Sequence, residues 1–215
     1  KIRKEIAIMK KLRHPHVVRL YEVIDDRMKD KIYMVMEYLG GGEVKWRNSD
    51  DQPVLTVVQT RRIIRDAVLG LEYLHYQGII HRDIKPANLL WTDDRRMVKI
   101  GDFGVSHFSY AQRLAAAGAE GAQGDPHDPI LLDDSDLTRR AGTPAFLAPE
   151  IFSSGATSST IQTPQSPASS TPNRPPITKA IDIWALGVTL YCLLFGRTPF
   201  SHSSEWSLYN SICND

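Results

Sequence analysis

Two short polar motifs at a fixed spacing constrain this chain more than any other feature of its 215 residues. Residues 81–88 read HRDIKPAN, and the tripeptide DFG follows at residues 102–104. The apolar segments between the two motifs predict short strands. An isolated HRD tripeptide would be weak evidence, because Asp83 and Asp102 could then be ordinary turn or capping residues. The two motifs in this order and at this spacing indicate a functional site instead.

The pair of motifs resembles the catalytic loop and the metal-binding loop of eukaryotic protein kinases. The resemblance implies an α+β chain with the bilobal protein kinase-like fold. Most of the helical C-lobe would be present, with a remnant of the N-lobe made of helix C and two strands. Lys85 lies two residues after Asp83. A lysine at this position resembles the serine/threonine kinases rather than the tyrosine kinases. The implied activity is phosphorylation of serine or threonine in proteins, with ATP and Mg²⁺ as cofactors.

The resemblance implies a role for each polar residue of the two loops. Asp83 would act as the base that accepts the proton of the incoming hydroxyl group. Lys85 would place a positive charge beside the transferred phosphoryl group. Asn88 and Asp102 would hold Mg²⁺ through oxygen atoms, which suit a hard cation. These residue types fit a reaction that needs positioning and charge neutralisation more than covalent chemistry.

Later motifs follow in the order that protein kinases have. Residues 142–150 read GTPAFLAPE and resemble the end of an activation segment. Thr143 is similar to the threonine that bridges Asp83 and Lys85 in serine/threonine kinases. The segment DIWALG, which begins at Asp182, resembles the buried helix that supports the catalytic loop. Asp182 is therefore expected to bond the backbone of that loop, although its position also suits the N-cap of its helix.

The segment before the catalytic loop matches the nucleotide-binding part of the family. Glu37 and Leu39 resemble the hinge whose backbone hydrogen-bonds adenine, and Met36 would be the gatekeeper residue before it. Leu90 would lie beneath the adenine. Glu43 falls where many kinases contact the ribose or a basic substrate residue.

Other residues match positions that support the site in the family. Glu5 falls at the helix-C glutamate that partners the ATP-binding lysine, although by sequence alone it is an ordinary solvated helix residue. Arg82 would lie between the catalytic and activation segments. Protein kinases also have a spine of stacked apolar residues. The residues that fall at its positions, all of which could equally be ordinary core residues, are Met9, Leu20, His81 and Phe103.

The motifs are most similar to those of the calcium/calmodulin-dependent protein kinase kinases and their fungal relatives. The matching segments are EIAIMKKL at residues 5–12, EYLHY at 72–76, GVS at 104–106, GTPAF at 142–146 and ALGVTLYC at 185–192. The resemblance implies that the protein substrate is another kinase of the AMP-activated type, phosphorylated on its activation loop. In this family a calmodulin-binding tail would follow the kinase domain, so these residues give no support for calmodulin binding.

The resemblance divides residues 1–215 as one incomplete kinase domain. The N-lobe remnant would be 1–36, the hinge 37–42 and the C-lobe 43–215. The glycine-rich loop with the ATP lysine would precede this sequence and the last C-lobe helices would follow it. We therefore expect the fragment alone to bind ATP poorly and to be inactive.

Two stretches interrupt the packed pattern. Residues 109–137 are rich in Ala, Gly and Asp, and residues 153–178 are rich in Ser, Thr and Pro. Both are predicted to be flexible loops, because they cannot bury enough apolar surface to offset the entropy of ordering.

Hydrophobic periodicity predicts the regular elements. Helices are predicted at 60–76, which Gly78 ends, and at 182–195, and a first helix begins at or before residue 1 and ends at the His14–Pro15 pair. Strands are predicted at 17–24, 32–36, 89–91 and 98–100. The glycines at 40–42 are predicted to form a flexible joint.

Composition argues against several other classes of protein. The formal net charge is only +1, so no strong electrostatic attraction to nucleic acid is expected. The longest apolar run, residues 183–195, is shorter than the ~20 residues that span a bilayer, so no membrane anchor is expected. Cys192 and Cys213 are too few for a disulfide framework and are predicted to be packing residues. A reducing, cytoplasmic location is expected, with the nucleus left open.

Two rival functions remain at this point. A pseudokinase or scaffold would bind partners without catalysis, but the intact Asp83, Asn88 and Asp102 argue against it. A small-molecule phosphotransferase of the aminoglycoside-kinase type would share the catalytic loop. It would lack the activation-segment motif at residues 142–150.

Overall fold

The computed structural model describes residues 2–109, 141–153 and 177–214. The helices in these residues are α1 (Ile2–Met9), α2 (Val57–Tyr76), α3 (Pro149–Ser153), α4 (Ala180–Phe195) and α5 (Glu205–Asn214). The strands are β1 (Leu20–Asp26), β2 (Lys31–Met36), β3 (Gly42–Glu43), β4 (Ile79–Ile80), β5 (Leu89–Trp91), β6 (Val98–Ile100) and β7 (His107–Phe108). Short 3₁₀ turns occupy Pro86–Asn88 and Pro144–Phe146. In these ranges, no helix combines the length and the apolar character needed to cross a membrane.

Within the described residues, three small antiparallel sheets position the polar loops. Strands β1 and β2 form a hairpin, and β4 pairs with β7. Strand β5 lies between β3 and β6, so that Leu90 is opposite Glu43 on one side and Lys99 on the other. The predicted strands at 89–91 and 98–100 are confirmed. Because β5 follows the HRDIKPAN loop and β6 precedes DFG, their pairing brings the two motifs to the same end of the sheet.

Helix α2 starts at a side-chain cap. The Thr56 hydroxyl accepts the Gln59 N–H at 3.2 Å, and the Gln59 side-chain oxygen accepts the Thr56 N–H at 2.8 Å. This capping box satisfies two backbone donors that the first turn would otherwise leave unpaired. The helix therefore begins at Val57, three residues before its predicted start. Gly78, with φ of 74°, follows its C-terminal end as predicted.

One hydrophobic cluster joins α1 to the larger helical part of the chain. Ile8, Met9 and Leu12 are buried in the same cluster as Leu71 of α2 and Phe103 of the DFG motif. The N-lobe remnant therefore contributes a helix to the core of the large lobe. A second cluster packs α3 and α5 against the start of α4.

The first helix and the first strand differ from their predicted bounds. Helix α1 ends at Met9, not at His14, because the N–H groups of Lys11 and Leu12 bond to carbonyls three residues back and tighten the turn. Strand β1 begins at Leu20. Residues 17–18 instead lie against β6, where Val18 N–H donates to Ile100 O at 2.9 Å.

The two predicted flexible loops lie mostly outside the described residues, but their ends are described. Ser109 is buried and its N–H donates to Gly78 O at 2.8 Å. Ile177 packs against the second cluster, and the Thr178 hydroxyl accepts the Ala180 N–H at 3.2 Å. These boundary residues belong to the packed structure, so the predicted limits at 109 and at 177–178 are wrong.

The glycines of the 40–42 segment lie close to the β5–β6 turn. Gly40 N–H donates to the Asp93 carboxylate at 2.5 Å. A Cβ atom on Gly41 would come within 2.3 Å of the Thr92 carbonyl oxygen. Glycine is therefore required at position 41 because the backbone there lies against the backbone of the β5–β6 turn. The sequence-based prediction of a flexible joint did not foresee this close approach.

The two cysteines differ in their surroundings. Cys192 is fully buried in α4, and burial raises the pKa of its thiol to about 11, as suits a packing residue. Cys213 is exposed on α5. The prediction that both cysteines are packing residues is therefore wrong for Cys213.

We expect loss of the capping box to destabilise the protein. The substitution Thr56→Ala should lower the free energy of unfolding by about 1 kcal/mol, because the Gln59 N–H in the first turn of α2 loses its acceptor. Chemical denaturation measures the change. Thr56→Ser keeps the hydroxyl and should retain most of the stability; equal stability of the Ala and Ser variants would contradict the capping role.

Candidate active site

The buried carboxylate of Asp182 holds the start of the catalytic loop. Its Oδ2 accepts the His81 N–H at 2.9 Å, and its Oδ1 accepts the Arg82 N–H at 2.8 Å. The same Oδ2 lies 2.8 Å from Nε2 of His75. Helix α4 begins at Ala180 with Lys179 at its N-cap, so Asp182 lies inside the first turn. The alternative reading of Asp182 as an N-cap is wrong, because its oxygens bond the loop instead.

The backbone of the loop is strained where the activation segment meets it. Arg82 has φ of 70°, a left-handed value that is unfavourable for a residue with a side chain. Gly142, with φ of 113°, approaches so closely that a Cβ atom there would lie 2.5 Å from the Arg82 carbonyl oxygen. Arg82 itself is buried. The end of the activation segment thus packs directly on the catalytic loop.

A network of hydrogen bonds joins Asp83, Lys85 and Thr143. The Lys85 ammonium group donates to Thr143 Oγ1 at 2.8 Å, and this hydroxyl donates to Asp83 Oδ1 at 2.8 Å. The Thr143 N–H also donates to Asp83 Oδ1, at 3.0 Å. Lys85 Nζ lies 2.7 Å from the other carboxylate oxygen, Oδ2. Two segments far apart in sequence therefore close around a single carboxylate.

Asn88 completes the surroundings of Asp83. Its side-chain nitrogen donates to the Asp83 carbonyl oxygen at 2.8 Å and to Asp83 Oδ2 at 3.0 Å. Because the amide nitrogen is used in this way, the amide oxygen is the atom left for another partner.

The charge state of Asp83 follows from these contacts. Burial alone would raise its pKa, but hydrogen bonds from Lys85, Thr143 and Asn88 more than offset burial and hold the pKa below its usual range. The carboxylate is therefore ionised at neutral pH. Such a weak base is better suited to orienting a hydroxyl group than to removing its proton early.

The DFG segment is anchored by its phenylalanine. Phe103 is buried, and its ring meets the His81 ring edge-on at 5.1 Å between centroids. Asp102 is exposed, has φ of 59°, and accepts the Gly104 N–H at 3.2 Å. The Glu5 carboxylate reaches this segment, since a Cβ on Gly104 would lie 3.8 Å from it.

His81 supports both loops as a neutral ring. Burial lowers its pKa, and its Nε2 lies 2.9 Å from the Gly101 carbonyl oxygen. Because a carbonyl only accepts, Nε2 carries the proton, and Nδ1 is free to accept the Asp83 N–H at 3.3 Å. His81 thereby links Asp83 to the residue just before Asp102.

The predicted nucleotide-binding residues lie in strands β3 and β5 and in the segment that joins β2 to β3. Glu37 is tied to β6, since its Oε1 lies 2.5 Å from Lys99 Nζ, and its N–H donates to Arg19 O at 2.8 Å. Leu39 O accepts the Gly42 N–H at 3.1 Å, which turns the chain into β3. Glu43 of β3 is paired with Leu90 of β5. The Leu90 side chain lies close to Gly101, the residue just before the DFG segment.

Sequence reasoning missed two residues that organise the site. His75 was noted only inside a motif of the resemblance, and Lys99 only inside a predicted strand. Their partners lie 107 and 62 residues away in the chain. A hydrophobic pattern carries no signal for such long-range polar contacts.

The oxygen donors of the two loops suit Mg²⁺. Asn88 and Asp102 offer an amide oxygen and a carboxylate, and Gly101 N–H donates to Asn88 O at 2.9 Å, which keeps the two loops together. Across residues 2–109, 141–153 and 177–214, no group of three or more His, Cys, Asp or Glu residues could hold a metal ion. Mg²⁺ fits such a sparse set, because it usually keeps several waters and binds substrate phosphates.

Comparison with known protein families identifies the family of this chain. The family model described as "Protein kinase domain" matches residues 1–215. This chain belongs to the protein kinase family. The α+β kinase-like fold predicted from the motifs is thereby confirmed.

The relatives of the kinase domain include fungal serine/threonine kinases and an animal protein kinase kinase. The chain is 50% identical over 217 residues to serine/threonine-protein kinase ssp1 of Schizosaccharomyces pombe, covering 100% of this chain and 28% of that protein. It is 48% identical over 223 residues to SNF1-activating kinase 1 of Saccharomyces cerevisiae, covering 100% of this chain and 18% of that protein. It is 40% identical over 214 residues to the calcium/calmodulin-dependent protein kinase kinase of Caenorhabditis elegans, covering 100% of this chain and 32% of that protein. The chain thus spans less than a third of each of these relatives, and the predicted resemblance to this kinase group is confirmed.

The neutral His81 should make stability depend on pH. Its pKa in the folded state lies below the ordinary value of 6.5, so below that pH the unfolded chain binds a proton that the folded chain does not. Stability should therefore fall as the pH drops below 6.5, by up to about 1.4 kcal/mol per pH unit. Denaturation at several pH values measures the slope. The variant His81→Gln cannot titrate and should have a shallower slope; an unchanged slope would show that His81 is not the group responsible.

Proposed function

We propose that this kinase domain transfers the γ-phosphoryl group of ATP to serine or threonine in a protein substrate. One observation carries the proposal: the Thr143 hydroxyl lies between Lys85 and Asp83, 2.8 Å from each. The network places a cation and an ionised carboxylate together at the end of an activation segment. The hydrogen bonds through the Thr143 hydroxyl fix the direction of both groups.

In this proposal each group of the site positions a reacting partner. Asp83 accepts a hydrogen bond from the substrate hydroxyl and orients it. It receives the hydroxyl proton as the new bond to the γ-phosphorus forms and the bond from that phosphorus to the β–γ bridging oxygen breaks, with ADP as the leaving group. Lys85 stabilises negative charge on the phosphoryl oxygens. The hinge at 37–42, with Glu37 and Leu39, binds adenine through its backbone, while Leu90 lies beneath it and Glu43 faces the ribose. Asn88 and Asp102 hold Mg²⁺, which supplies charge neutralisation for the phosphates.

The contact between Gly142 and Arg82 supports a protein substrate over a small molecule. This contact seats the start of the activation-segment motif, which small-molecule phosphotransferases of the aminoglycoside-kinase type would lack, directly on the catalytic loop. No feature of the described residues favours a scaffold without catalysis.

We further propose that the substrate is another kinase of the AMP-activated type, phosphorylated on the threonine of its activation loop. Support comes from the resemblance to the calcium/calmodulin-dependent protein kinase kinases and from a relative whose name describes it as SNF1-activating. The described residues add no support for calmodulin as a partner.

The catalytic assignment predicts the effect of two substitutions in the full-length protein. Asp83→Asn removes the acceptor for the substrate proton, and Asp102→Asn removes the charged oxygen ligand, so each should lower kcat by at least about 100-fold. A radiolabelled ATP assay on a protein substrate measures the rates. Asp94→Asn, at an exposed carboxylate in the β5–β6 turn, is the matched control and should keep wild-type activity. Near-normal turnover by either site variant would refute the assignment.

The substrate assignment predicts a preference for one threonine. The full-length protein should phosphorylate an inactive kinase domain of the AMP-activated type on its activation loop, as located by mass spectrometry. Replacing that threonine with alanine should abolish incorporation, and the Asp83→Asn enzyme should give none. Equal incorporation into the alanine substrate would refute the proposed target while leaving the kinase activity intact.

A further inference from the structure

A polar cleft of about 620 Å³ lies at the C-terminal end of α4. It is at the opposite end of that helix from Asp182 and the catalytic loop. Three parts of the chain line it: the loop before α2, the end of α4 with the turn that follows it, and helix α5. The polar lining residues that matter here are Arg47, Asp51, Gln52, Arg197, Ser201 and His202.

We propose that this cleft binds a phosphate monoester on a serine or threonine of the protein substrate. The proposal rests on the proposed kinase function, because it names a second feature of the substrate besides the threonine that receives the new phosphate. It follows that a substrate already phosphorylated at a distant position binds more tightly than the unmodified substrate.

Close backbone packing holds the cleft open in one shape. Gly196 caps α4 with φ of 70°, and a Cβ atom there would lie 2.6 Å from the Pro53 nitrogen. The loop that contains Pro53 is closed in turn by the Asn48 N–H, which donates to the Gln52 carbonyl oxygen at 3.0 Å. The two segments that carry the arginines of the cleft are thereby fixed against each other.

Arg197 supplies a guanidinium group that has no partner in the protein. Across residues 2–109, 141–153 and 177–214, the structure gives its exposed side chain no ion pair and no hydrogen bond. Its place just after α4 also lets its charge complement the helix dipole, but a lysine would do so equally well. A guanidinium group adds a planar fork of donors that matches the oxygen atoms of a phosphate.

Arg47 brings a second guanidinium group from the loop before α2. Its NH1 group donates to Asp51 Oδ1 at 2.6 Å, and its guanidinium carbon lies 4.6 Å from the centre of the Trp46 ring. These contacts orient the guanidinium group and neutralise Asp51, the only carboxylate among the described residues that line the cleft. The other N–H groups of Arg47 have no partner among the described residues, so they remain for a ligand.

The lining of the cleft is rich in hydrogen-bond donors. The Gln52 amide, the Ser201 hydroxyl and the His202 ring can each donate to an oxygen atom. With Asp51 neutralised, the two arginines leave an excess of positive charge. A phosphate monoester supplies what this lining lacks, namely about −1.5 to −2 charges and three acceptor oxygens.

The position of the cleft places its ligand away from the reacting hydroxyl group. At about 1.5 Å per residue, α4 separates Arg197 from Asp182 by roughly 22 Å. Since Asp182 holds the catalytic loop, an extended peptide at ~3.3 Å per residue needs about seven residues to reach from Asp83 to the cleft. The bound phosphate therefore belongs to the substrate outside the immediate surroundings of its acceptor threonine.

Paired synthetic peptides and variants of the full-length protein test the proposal. The peptides share an acceptor threonine and carry either serine or phosphoserine about seven residues away, on its N-terminal side in one pair and on its C-terminal side in another. A double variant combines Arg47→Gln with Arg197→Gln, and Arg197→Lys keeps the charge without the planar fork. The matched control is Arg61→Gln, which removes an exposed arginine of α2 that does not line the cleft.

Fluorescence anisotropy without ATP measures the affinity of each labelled peptide. For one of the two placements, the wild type should bind the phosphoserine peptide at least about 10-fold more tightly than the serine peptide. This preference should disappear in the double variant, fall in part in Arg197→Lys and persist in Arg61→Gln. Kinase assays with the wild type should show the same preference as a lower KM for the phosphoserine peptide.

Equal affinity of the wild type for the serine and phosphoserine peptides at both placements would overturn the proposal. So would a preference that survives in the double variant, or one that Arg61→Gln removes equally well, since general attraction between charges would then explain it. Displacement of the phosphoserine peptide by inorganic phosphate at equal concentration would assign the cleft to free phosphate instead. Because anisotropy requires no turnover, a wild-type protein without kinase activity would refute the proposed function separately from the binding result.

Discussion

A carboxylate without access to solvent determines the geometry of the whole site. Moving an unpaired ionised carboxylate into a protein interior costs far more than a domain's net stability, so it must be fully compensated. Asp182 meets this requirement with backbone donors from the catalytic loop and a ring donor from α2. Because these donors are the compensation, a loop that left α4 would leave a buried carboxylate without partners. The hydrogen bonds of Asp182 therefore hold the loop and the central helix together as one unit.

The polar residues in front of this unit are arranged for positioning. Asp83 is held from several directions by Lys85, Thr143 and Asn88, and its lowered pKa shows that these contacts outweigh its burial. Left-handed backbone at Arg82 and Asp102 adds strain in both polar loops. Strain of this kind survives only where the surrounding structure enforces it. The fold thus preorganises the polar groups of the site, so they need little reorganisation during the reaction.

Local patterns predicted the parts of the fold that are locally determined. The strands at 89–91 and 98–100 are short apolar segments between polar loops, and their predicted bounds agree with the structure. The start of α2 was missed because Thr56 and Gln59 extend the helix by a side-chain cap that hydrophobic spacing does not report. Residues 17–18 were assigned to the first strand, although their partner is β6 rather than β2. Pairing with a distant strand is a property of the tertiary structure.

The candidate site shows the same division. The motifs named every residue that meets around Asp83, because the chemistry of the site requires those residue types in order. They gave no reason to single out His75 or Lys99, whose contribution depends on what the fold brings beside them. Asp182 was recognised, but its two possible roles were separated only when the helix was seen to begin at Ala180.

The contacts of Ser109 and Gly142 have a consequence for how the catalytic loop is held. The Ser109 N–H donates to the Gly78 carbonyl oxygen, and Gly142 is seated on Arg82. Both contacts fall on the short segment of residues 78–82, which leads directly into Asp83. Two parts of the chain that are distant in sequence thus meet the same few peptide groups, and a substitution that displaces either of them would displace the catalytic carboxylate as well.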